Sequence, residues 1–267
     1  MISIKEYVAP KTLDEALKVL ESSKKATIIG GGAFLKLGSI NISKAIDLSK
    51  LNLDFIKEYD NKIEIGAMAT FGDIERSKVL KKYFNNALGL SVKDIVGVQL
   101  RNMVTVGATV YSRYGFSDIL TCLLSLDTKV SLKKQGEISL EKFLIEGSNK
   151  KDILEKIIIS KDGRKASFKS MRNSKGDYAI LNLSVSKKDD TYLIAVGARP
   201  NRATLAYETI KYLKGKHIDE TVIKKACEII EDEITFGSNI RANKEYRKGL
   251  SKVLLKRALT EVVNYEN

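Results

Sequence analysis

Three consecutive glycines, Gly30 to Gly32, follow the apolar run Ala26–Ile29. A short apolar run that stops at glycines reads as a buried strand. The glycines let the chain turn through backbone conformations closed to other residues, and they bare successive N–H groups with no side chain in the way. Such a loop either cradles a phosphate or makes a tight turn with no ligand, and the segment alone leaves both open. Its spacing is not the dinucleotide fingerprint of a glycine, one gap, a glycine, two gaps and a glycine, so a Rossmann fold does not follow.

A second segment, VQLRNMVTVGATV at 98–110, runs through apolar and β-branched residues into Gly107 and Ala108. It reads as a strand over 103–110 entering a turn with room for a ligand beside the backbone. Thr105, Thr109, Ser112 and Asp118 supply hydroxyls and a carboxylate nearby. Two such loops in one half of the chain point to a long, phosphate-bearing ligand gripped at more than one place.

Other reactive chemistry is sparse. Among 267 residues there are two cysteines, Cys122 and Cys227, in separate apolar stretches, and one histidine, His217, in a polar turn. Both cysteines read as small buried hydrophobes. No four-cysteine iron–sulfur cluster or His/Cys zinc site can be built from this set, and no metal site is expected. With no Cys–His or Ser–His pair either, redox chemistry has to come from an organic cofactor or a partner. The net charge of +13 arises from 46 Lys and Arg spread among 33 acids. No arginine-rich tract or aromatic-interleaved basic stripe accompanies it, so it reads as a solvated lysine-rich surface and not as a nucleic-acid interface. No apolar run approaches the roughly 20 residues of a membrane span. The first residues lack the pattern of a secretory signal, and a cytoplasmic location is expected.

Periodicity orders the chain. Leu13, Ala16, Leu17 and Leu20 predict a helix over 12–22, with Thr12 as N-cap and Glu15 completing a capping box. A strand at 26–29, a short helix through 34–37, a strand at 45–47 and a hairpin of 53–58 with 62–67 follow. Helices are expected from Thr70, over 79–90 and over 118–126. DILEKIIIS at 152–160 reads as a strand leaving a first domain, with Asp162–Gly163 as the boundary turn. KASFKSMRN, YAILNLSVSKK and TYLIAVGA then read as three antiparallel strands, and 205–213, 221–230 and 244–264 as helices. Strands followed by helices indicate an α+β chain, with domains at 1–160 and 163–267.

In order along the chain, these segments resemble the FAD-binding (medium) subunit of the xanthine dehydrogenase and carbon monoxide dehydrogenase group of molybdenum hydroxylases. The residues that carry the resemblance are KEYVAPKTLDEA at the start, IIGGGAFL at 28–35, LRNMVTVGATV at 100–110, SDILTCLLSLDTKV at 117–130 and EYRKGLSKVLLKRAL at 245–259. The resemblance implies a two-domain fold, a PCMH-type FAD-binding domain followed by a smaller domain of a three-stranded sheet plus helices. It implies that FAD is held by Ile29, Gly30, Gly31, Gly32, Ala33, Phe34 and Leu35 in the first loop and by Thr105, Gly107, Ala108, Thr109 and Ser112 in the second. Asp118 is similar to an aspartate that grips the adenosine ribose or adenine, and reads equally as an N-cap. Ile95 and Leu154 match apolar positions near the isoalloxazine, and read equally as core. Lys169 matches a lysine beside the flavin ring, where a cation would stabilise the reduced anion, and reads equally as a solvated lysine. Arg101, Arg241 and Arg247 read as structural.

The sequence departs from the family at several of these places. Ala33 and Phe34 replace a Thr–Asp pair, Ala108 and Thr109 replace a Gly and an Asn, and Arg113, Tyr114 and Gly115 stand where the family prefers small residues and a proline. N–H donors do not depend on the side chain, so backbone contacts to a diphosphate survive these changes. The implied function is an electron-transfer flavoprotein subunit, with a molybdenum-binding large subunit and a 2Fe–2S small subunit as partners and NAD as acceptor. No catalytic side chain is implied, because hydride transfer needs no protein acid or base. The alternative is a cofactor-free structural or assembly subunit of the same complex.

Overall fold

The computed structural model describes residues 1–148 and 150–264; the last residues of the expected second domain, 265–267, lie outside these. The chain begins with β1 (Ser3–Val8), α1 (Leu13–Glu21), β2 (Ala26–Ile29) and β3 (Asn41–Asp47). The strands form a parallel sheet in the order β1-β3-β2. α1 covers one face, burying Ala16 and Leu20 against Ala26, Ile46 and Leu48. Thr12 caps α1 by accepting the Glu15 N–H at 3.1 Å. The Glu15 carboxylate accepts from the Lys11 N–H at 2.8 Å, one residue before the partner that the capping box predicts.

The second sheet contains β4 (Ile56–Glu58), β5 (Lys62–Gly66), β6 (Thr128–Leu132), β7 (Gly136–Ser139) and β8 (Leu154–Ser160). Its order is β4-β5-β8-β6-β7 with antiparallel neighbours. The 152–160 run is thus the central strand of the first domain as well as its exit. Between β5 and β6 lie α2 (Phe71–Arg76), α3 (Lys78–Lys82), α4 (Ala87–Val92), α5 (Val98–Arg101), α6 (Val106–Ser112) and α7 (Asp118–Leu124), and α8 (Leu140–Glu146) follows β7. Ile63, Ile65, Val130, Ile157 and Ile159 of the sheet pack with Ile74, Leu88, Val110, Ile119 and Leu123 of these helices in one core.

Two expectations are corrected here. The single helix over 79–90 is broken, because Phe84, Asn85 and Asn86 take φ of 55°, 53° and 59°. Asparagine tolerates this conformation, and the break drops Phe84 into the core, where it is 3% exposed. The run 103–110 is not a strand. Among the described residues its one β-type contact is an isolated bridge from Thr105 to Thr70, the N-cap of α2, and it then turns into α6. Thr105 is the N-cap, its hydroxyl accepting the Ala108 N–H at 3.3 Å. Small residues let this helix press against the sheet, and that burial overrides the β propensity of Val and Thr.

The second unit holds β9 (Lys165–Arg172), β10 (Ala179–Lys188), β11 (Thr191–Gly197) and β12 (Thr204–Leu205), antiparallel in the order β12-β11-β10-β9. The expected three-stranded sheet therefore has a fourth, short edge strand, and the helix expected from Leu205 starts two residues later. The helices are α9 (Tyr207–Leu213), α10 (Glu220–Glu233) and α11 (Lys244–Asn264). Leu250, Leu254, Leu255, Ala258, Leu259 and Val262 of α11 join Leu181, Leu183 and Val185 of β10 in a second core. The other face of β10 carries Asn182, Ser184 and Ser186, all fully buried. They meet α7: Thr121 Oγ1 donates to Asn182 Oδ1 at 2.7 Å, the Ser125 and Ser184 hydroxyls are 2.7 Å apart, and the Ser186 hydroxyl donates to the Ser125 carbonyl. The two halves thus join through these hydrogen bonds and through Ala166, Phe168 and Ala195, which pack into the first core. Both cysteines are buried as expected, and burial pushes the Cys122 thiol up to about 12.

Arg247 is fully buried in α11. Its guanidinium donates to the carbonyls of Ile180 (2.8 Å), Gly237 (2.7 Å) and Ala242 (2.6 Å) and to Asn239 Oδ1 (2.6 Å). It therefore ties the 237–242 loop to β10. Arg247→Leu strands these acceptors without partners and is expected to lower the free energy of urea unfolding by about 3 kcal/mol. Arg247→Lys should recover little, since one ammonium cannot serve acceptors set around a planar fork.

Candidate functional site

The glycine loop leaves β2 and lands on the segment between α5 and α6. Each glycine answers a different constraint. A Cβ on Gly30 would sit 2.5 Å from Thr105 Oγ1 and 2.8 Å from Ala108 Cβ. One on Gly31 would sit 1.6 Å from the Met103 carbonyl oxygen. One on Gly32 would meet nothing nearer than Ile29 Cγ2 at 3.8 Å. Gly31 and Gly32 both have φ of +69°. Gly30 and Gly31 are therefore packing glycines, and Gly32 is the one that faces open space. Among the described residues, no acceptor takes the N–H groups of Gly31, Gly32, Ala33 or Phe34. Successive free N–H groups in a turn of this kind make an anion-binding concavity.

That loop borders a cavity of about 630 Å³ at the junction of the two halves. Of the sequence-predicted residues, Gly30, Gly32, Ala33, Phe34, Leu35, Ile95, Thr105, Gly107, Ala108, Thr109, Ser112, Asp118 and Leu154 line it. Ile29 and Gly31 lie behind the lining. Lys169 is not brought to the cavity: it pairs with Glu261 of α11, on the far side of the second sheet.

The two predicted loops contribute unequally. The N–H groups at the head of α6 are already engaged. Val106 donates to the Ala69 carbonyl at 2.8 Å, Gly107 to Ala67 at 2.8 Å, Ala108 to Thr105 Oγ1 at 3.3 Å and Thr109 to the Thr105 carbonyl at 3.2 Å. The expected second backbone grip is therefore replaced by a surface of methyls and hydroxyls. Gly107 is needed for packing, since a Cβ there would lie 2.6 Å from Ala67.

Asp118 is the first residue of α7, not its N-cap; Ser117 holds that position. The Asp118 carboxylate accepts from Arg172 at 2.5 Å and from Asn182 Nδ2 at 2.6 Å. It is 3% exposed, and burial pushes its pKa up against the opposing pull of Arg172 and Asn182. Arg172 also donates to the Asp177 carbonyl at 2.7 Å. Arg101 holds the Ile95 loop, donating to the Ile95 carbonyl at 3.3 Å and to Glu75 at 2.8 Å.

Sequence reasoning missed the aromatic wall. Tyr114 and Phe116 stack at 5.0 Å, Phe34 lies 5.3 Å from Tyr114, and Tyr178 meets Phe116 edge-on at 4.7 Å. All four rings line the cavity. The available signal was the alternation Tyr114-Gly115-Phe116 in a loop with no strand around it. Arg172 and Asn182 were missed as well; the signal for Asn182 was a polar side chain within an apolar strand.

Residues 2–161 match the FAD binding domain in molybdopterin dehydrogenase. The chain belongs to this family. Residues 166–262 of this family member match the CO dehydrogenase flavoprotein C-terminal domain. The glyceraldehyde dehydrogenase medium chain of Sulfolobus acidocaldarius is 26% identical over 274 residues, covering 96% of this chain and 97% of that one. The nicotinate dehydrogenase FAD-subunit of Eubacterium barkeri is 32% identical over 136 residues, covering 48% of this chain and 45% of that one. Among solved structures, quinoline 2-oxidoreductase from Pseudomonas putida 86 superposes with a TM-score of 0.88 at 22% identity, covering 98% of this chain and 97% of that one. Cu,Mo-CO dehydrogenase gives 0.87 at 22% identity over 97% and 98%. These two likenesses establish the two-domain fold. The cofactor of this flavin-domain family is FAD, and the cavity suits it: unpaired N–H donors for a diphosphate, and aromatic and apolar walls for planar rings.

Two variants separate the roles of the glycines. Gly32→Ala should cost about 1 kcal/mol of stability for its left-handed φ and weaken FAD binding about tenfold or more, because its Cβ projects into the open space where a diphosphate would approach the N–H groups. Gly31→Ala should prevent folding, because the Met103 carbonyl occupies the space. Melting curves of the apo protein and flavin titration read the difference; unchanged FAD affinity in Gly32→Ala would mean the glycine serves only the turn. Asp118→Asn should lower stability by about 3 kcal/mol, since it leaves a buried guanidinium without its counter-charge, and urea unfolding measures this.

Proposed function

We propose that this chain is the electron-transfer flavoprotein subunit of a molybdenum hydroxylase complex of the xanthine dehydrogenase type. In this reading it docks in the cytoplasm with a molybdenum-binding large subunit and a 2Fe–2S small subunit, and NAD is the final acceptor. The reading rests on the free N–H groups of Gly31–Phe34 beside the cavity. The relatives named as a medium chain and an FAD-subunit support it. Bound FAD would supply the redox chemistry, accepting single electrons and releasing a hydride.

The chain's own residues bind, orient and exclude water. The glycine loop offers donors that Ala33 and Phe34 do not remove. Ile95, Leu154, Thr109 and Ser112 give the cavity its apolar and hydroxyl surfaces. The rings of Phe34, Tyr114, Phe116 and Tyr178 offer planar faces. The Asp118–Arg172 pair fixes the first domain (1–160) against the second (163–267), so that the two walls keep their spacing. Among the described residues neither His nor Cys lines the cavity, which favours non-covalent binding. Substrate hydroxylation then belongs to another chain.

The purified chain should be yellow, and acid precipitation should release all of its flavin into the supernatant. Flavin kept in the pellet would contradict non-covalent binding. An apo protein that takes up no FAD at micromolar concentration would favour the cofactor-free assembly subunit. Anaerobic NADH should bleach the bound flavin; a flavin that NADH leaves oxidised would remove NAD from the reading.

A further inference from the structure

We propose that a second cleft, behind the Phe116–Tyr178 wall of the cofactor cavity, binds a small diphosphate-bearing anion. The cleft has a volume of about 530 Å³ and lies between the 198–202 loop and the 239–241 loop. Phe116 and Tyr178 line both spaces, so the two share a wall of rings.

The polar side chains of this cleft are donors. No carboxylate lines it among the described residues; Asn201, Arg202, Asn239 and Arg241 do. Both amide oxygens are already occupied. Asn201 Oδ1 accepts the Arg202 N–H at 2.8 Å, and Asn239 Oδ1 accepts from the Arg241 N–H at 2.9 Å and the Arg247 guanidinium at 2.6 Å. What each amide has left is its NH₂ end. Arg241 donates from Nε (3.3 Å) and Nη2 (3.1 Å) to Asp177 Oδ1 and lies over Tyr178 at 4.9 Å, which leaves it one uncommitted nitrogen. Arg202 gives one nitrogen to the Ile145 carbonyl at 2.9 Å. Behind it the buried Arg199 donates only to carbonyls, of Arg202 at 2.9 Å and Thr235 at 2.7 Å. Among the described residues, Asp177 is the one carboxylate paired with any of these arginines.

A concave surface with surplus guanidinium and amide donors takes an oxyanion, and one with enough oxygens to meet the Nε and Nη2 of Arg202, the remaining nitrogen of Arg241 and the amide NH₂ ends together is favoured. A diphosphate meets this; a carboxylate, with two oxygens per group, leaves most donors unpaired. The cleft is also preformed. The Ala198 N–H donates to the Gly115 carbonyl at 2.8 Å and the Gly237 N–H to the Arg199 carbonyl at 3.0 Å. A Cβ on Gly115 would lie 2.2 Å from the Asn201 carbonyl oxygen, so the two loops are in contact.

The test is calorimetric titration of the full chain, with FAD saturating the main cavity, by inorganic pyrophosphate and by succinate. Pyrophosphate should bind saturably below millimolar concentration and succinate should not. Arg202→Gln should weaken pyrophosphate about tenfold or more, the loss of one charge-assisted contact, with melting temperature and FAD content unchanged. Asn201→Asp, which adds a like charge, should abolish it. Absent pyrophosphate binding, equal binding of succinate, or unchanged affinity in both variants would overturn the proposal. The outcome is separable from the flavin reading: if the chain holds no FAD, dependence of pyrophosphate binding on Arg202 still assigns the cleft, and binding that depends on Gly32 instead assigns the anion to the glycine loop and overturns it.

Discussion

The buried Asp118–Arg172–Asn182 contact is the constraint on which the cavity depends. It joins the head of α7 to the end of β9 and to Asn182 within β10, and Asp118 and Arg172 both line the cavity. Burying a carboxylate and a guanidinium is costly unless every lone pair and proton finds a partner. Here the carboxylate has Arg172 and Asn182, the guanidinium has Asp118 and the Asp177 carbonyl, and the Asn182 oxygen has Thr121. Ser184 and Ser186 extend the polar contact along β10. Hydrogen bonds need narrower geometry than apolar contact, so this junction fixes the alignment of the halves more sharply than a greasy interface of the same area.

Phe34, Ala108 and Tyr114, from three separate segments, meet in one place around the glycine loop. Phe34 of the glycine loop and Tyr114 of the α6–α7 connection touch at 5.3 Å, and Phe116 lies 5.7 Å from Phe34. Ala108 sits against Gly30, where there is no room for a further side chain. Phe34 and the Tyr114–Phe116 pair therefore pack as one unit. It gives one wall of the cavity ring faces.

Much of the fold was legible. The strand into the glycines, the 56–66 hairpin, the order of sheets and helices and the C-terminal helix over 244–264 follow from local periodicity, which the structure obeys wherever one face alone is buried. The failures share a cause. Thr105 looked like a strand residue because Val and Thr surround it, yet Gly107 and Ala108 are small so that a helix can press on Ala67 and Gly30. Asn85 and Asn86 broke a helix whose apolar spacing continued through them. Thr204–Leu205 joined a sheet through a pairing that no local pattern announces. β10 hid its polar face because Asn182, Ser184 and Ser186 are satisfied by α7, more than fifty residues earlier in the chain. Lys169 carried a family match, but its strand turns that face toward Glu261.

The candidate site was half legible for a related reason. Donors that belong to the backbone announce themselves through glycine, since glycine takes the left-handed turn at the least cost and leaves a bare approach at Gly32. Partners that belong to side chains on distant strands do not. A cavity that relies on N–H groups on one wall and on rings and one buried ion pair on the other is insensitive to many substitutions along its lining. The side chains of Ala33, Phe34 and Thr109 can vary because the loop's donors are backbone N–H groups. The positions that cannot vary are those that hold the backbone in shape: Gly30 and Gly31 against α6, Gly107 against Ala67, and Asp118 against Arg172. In this chain the binding chemistry is thus a property of how the loop is folded, and the residues that matter most for it are packing residues.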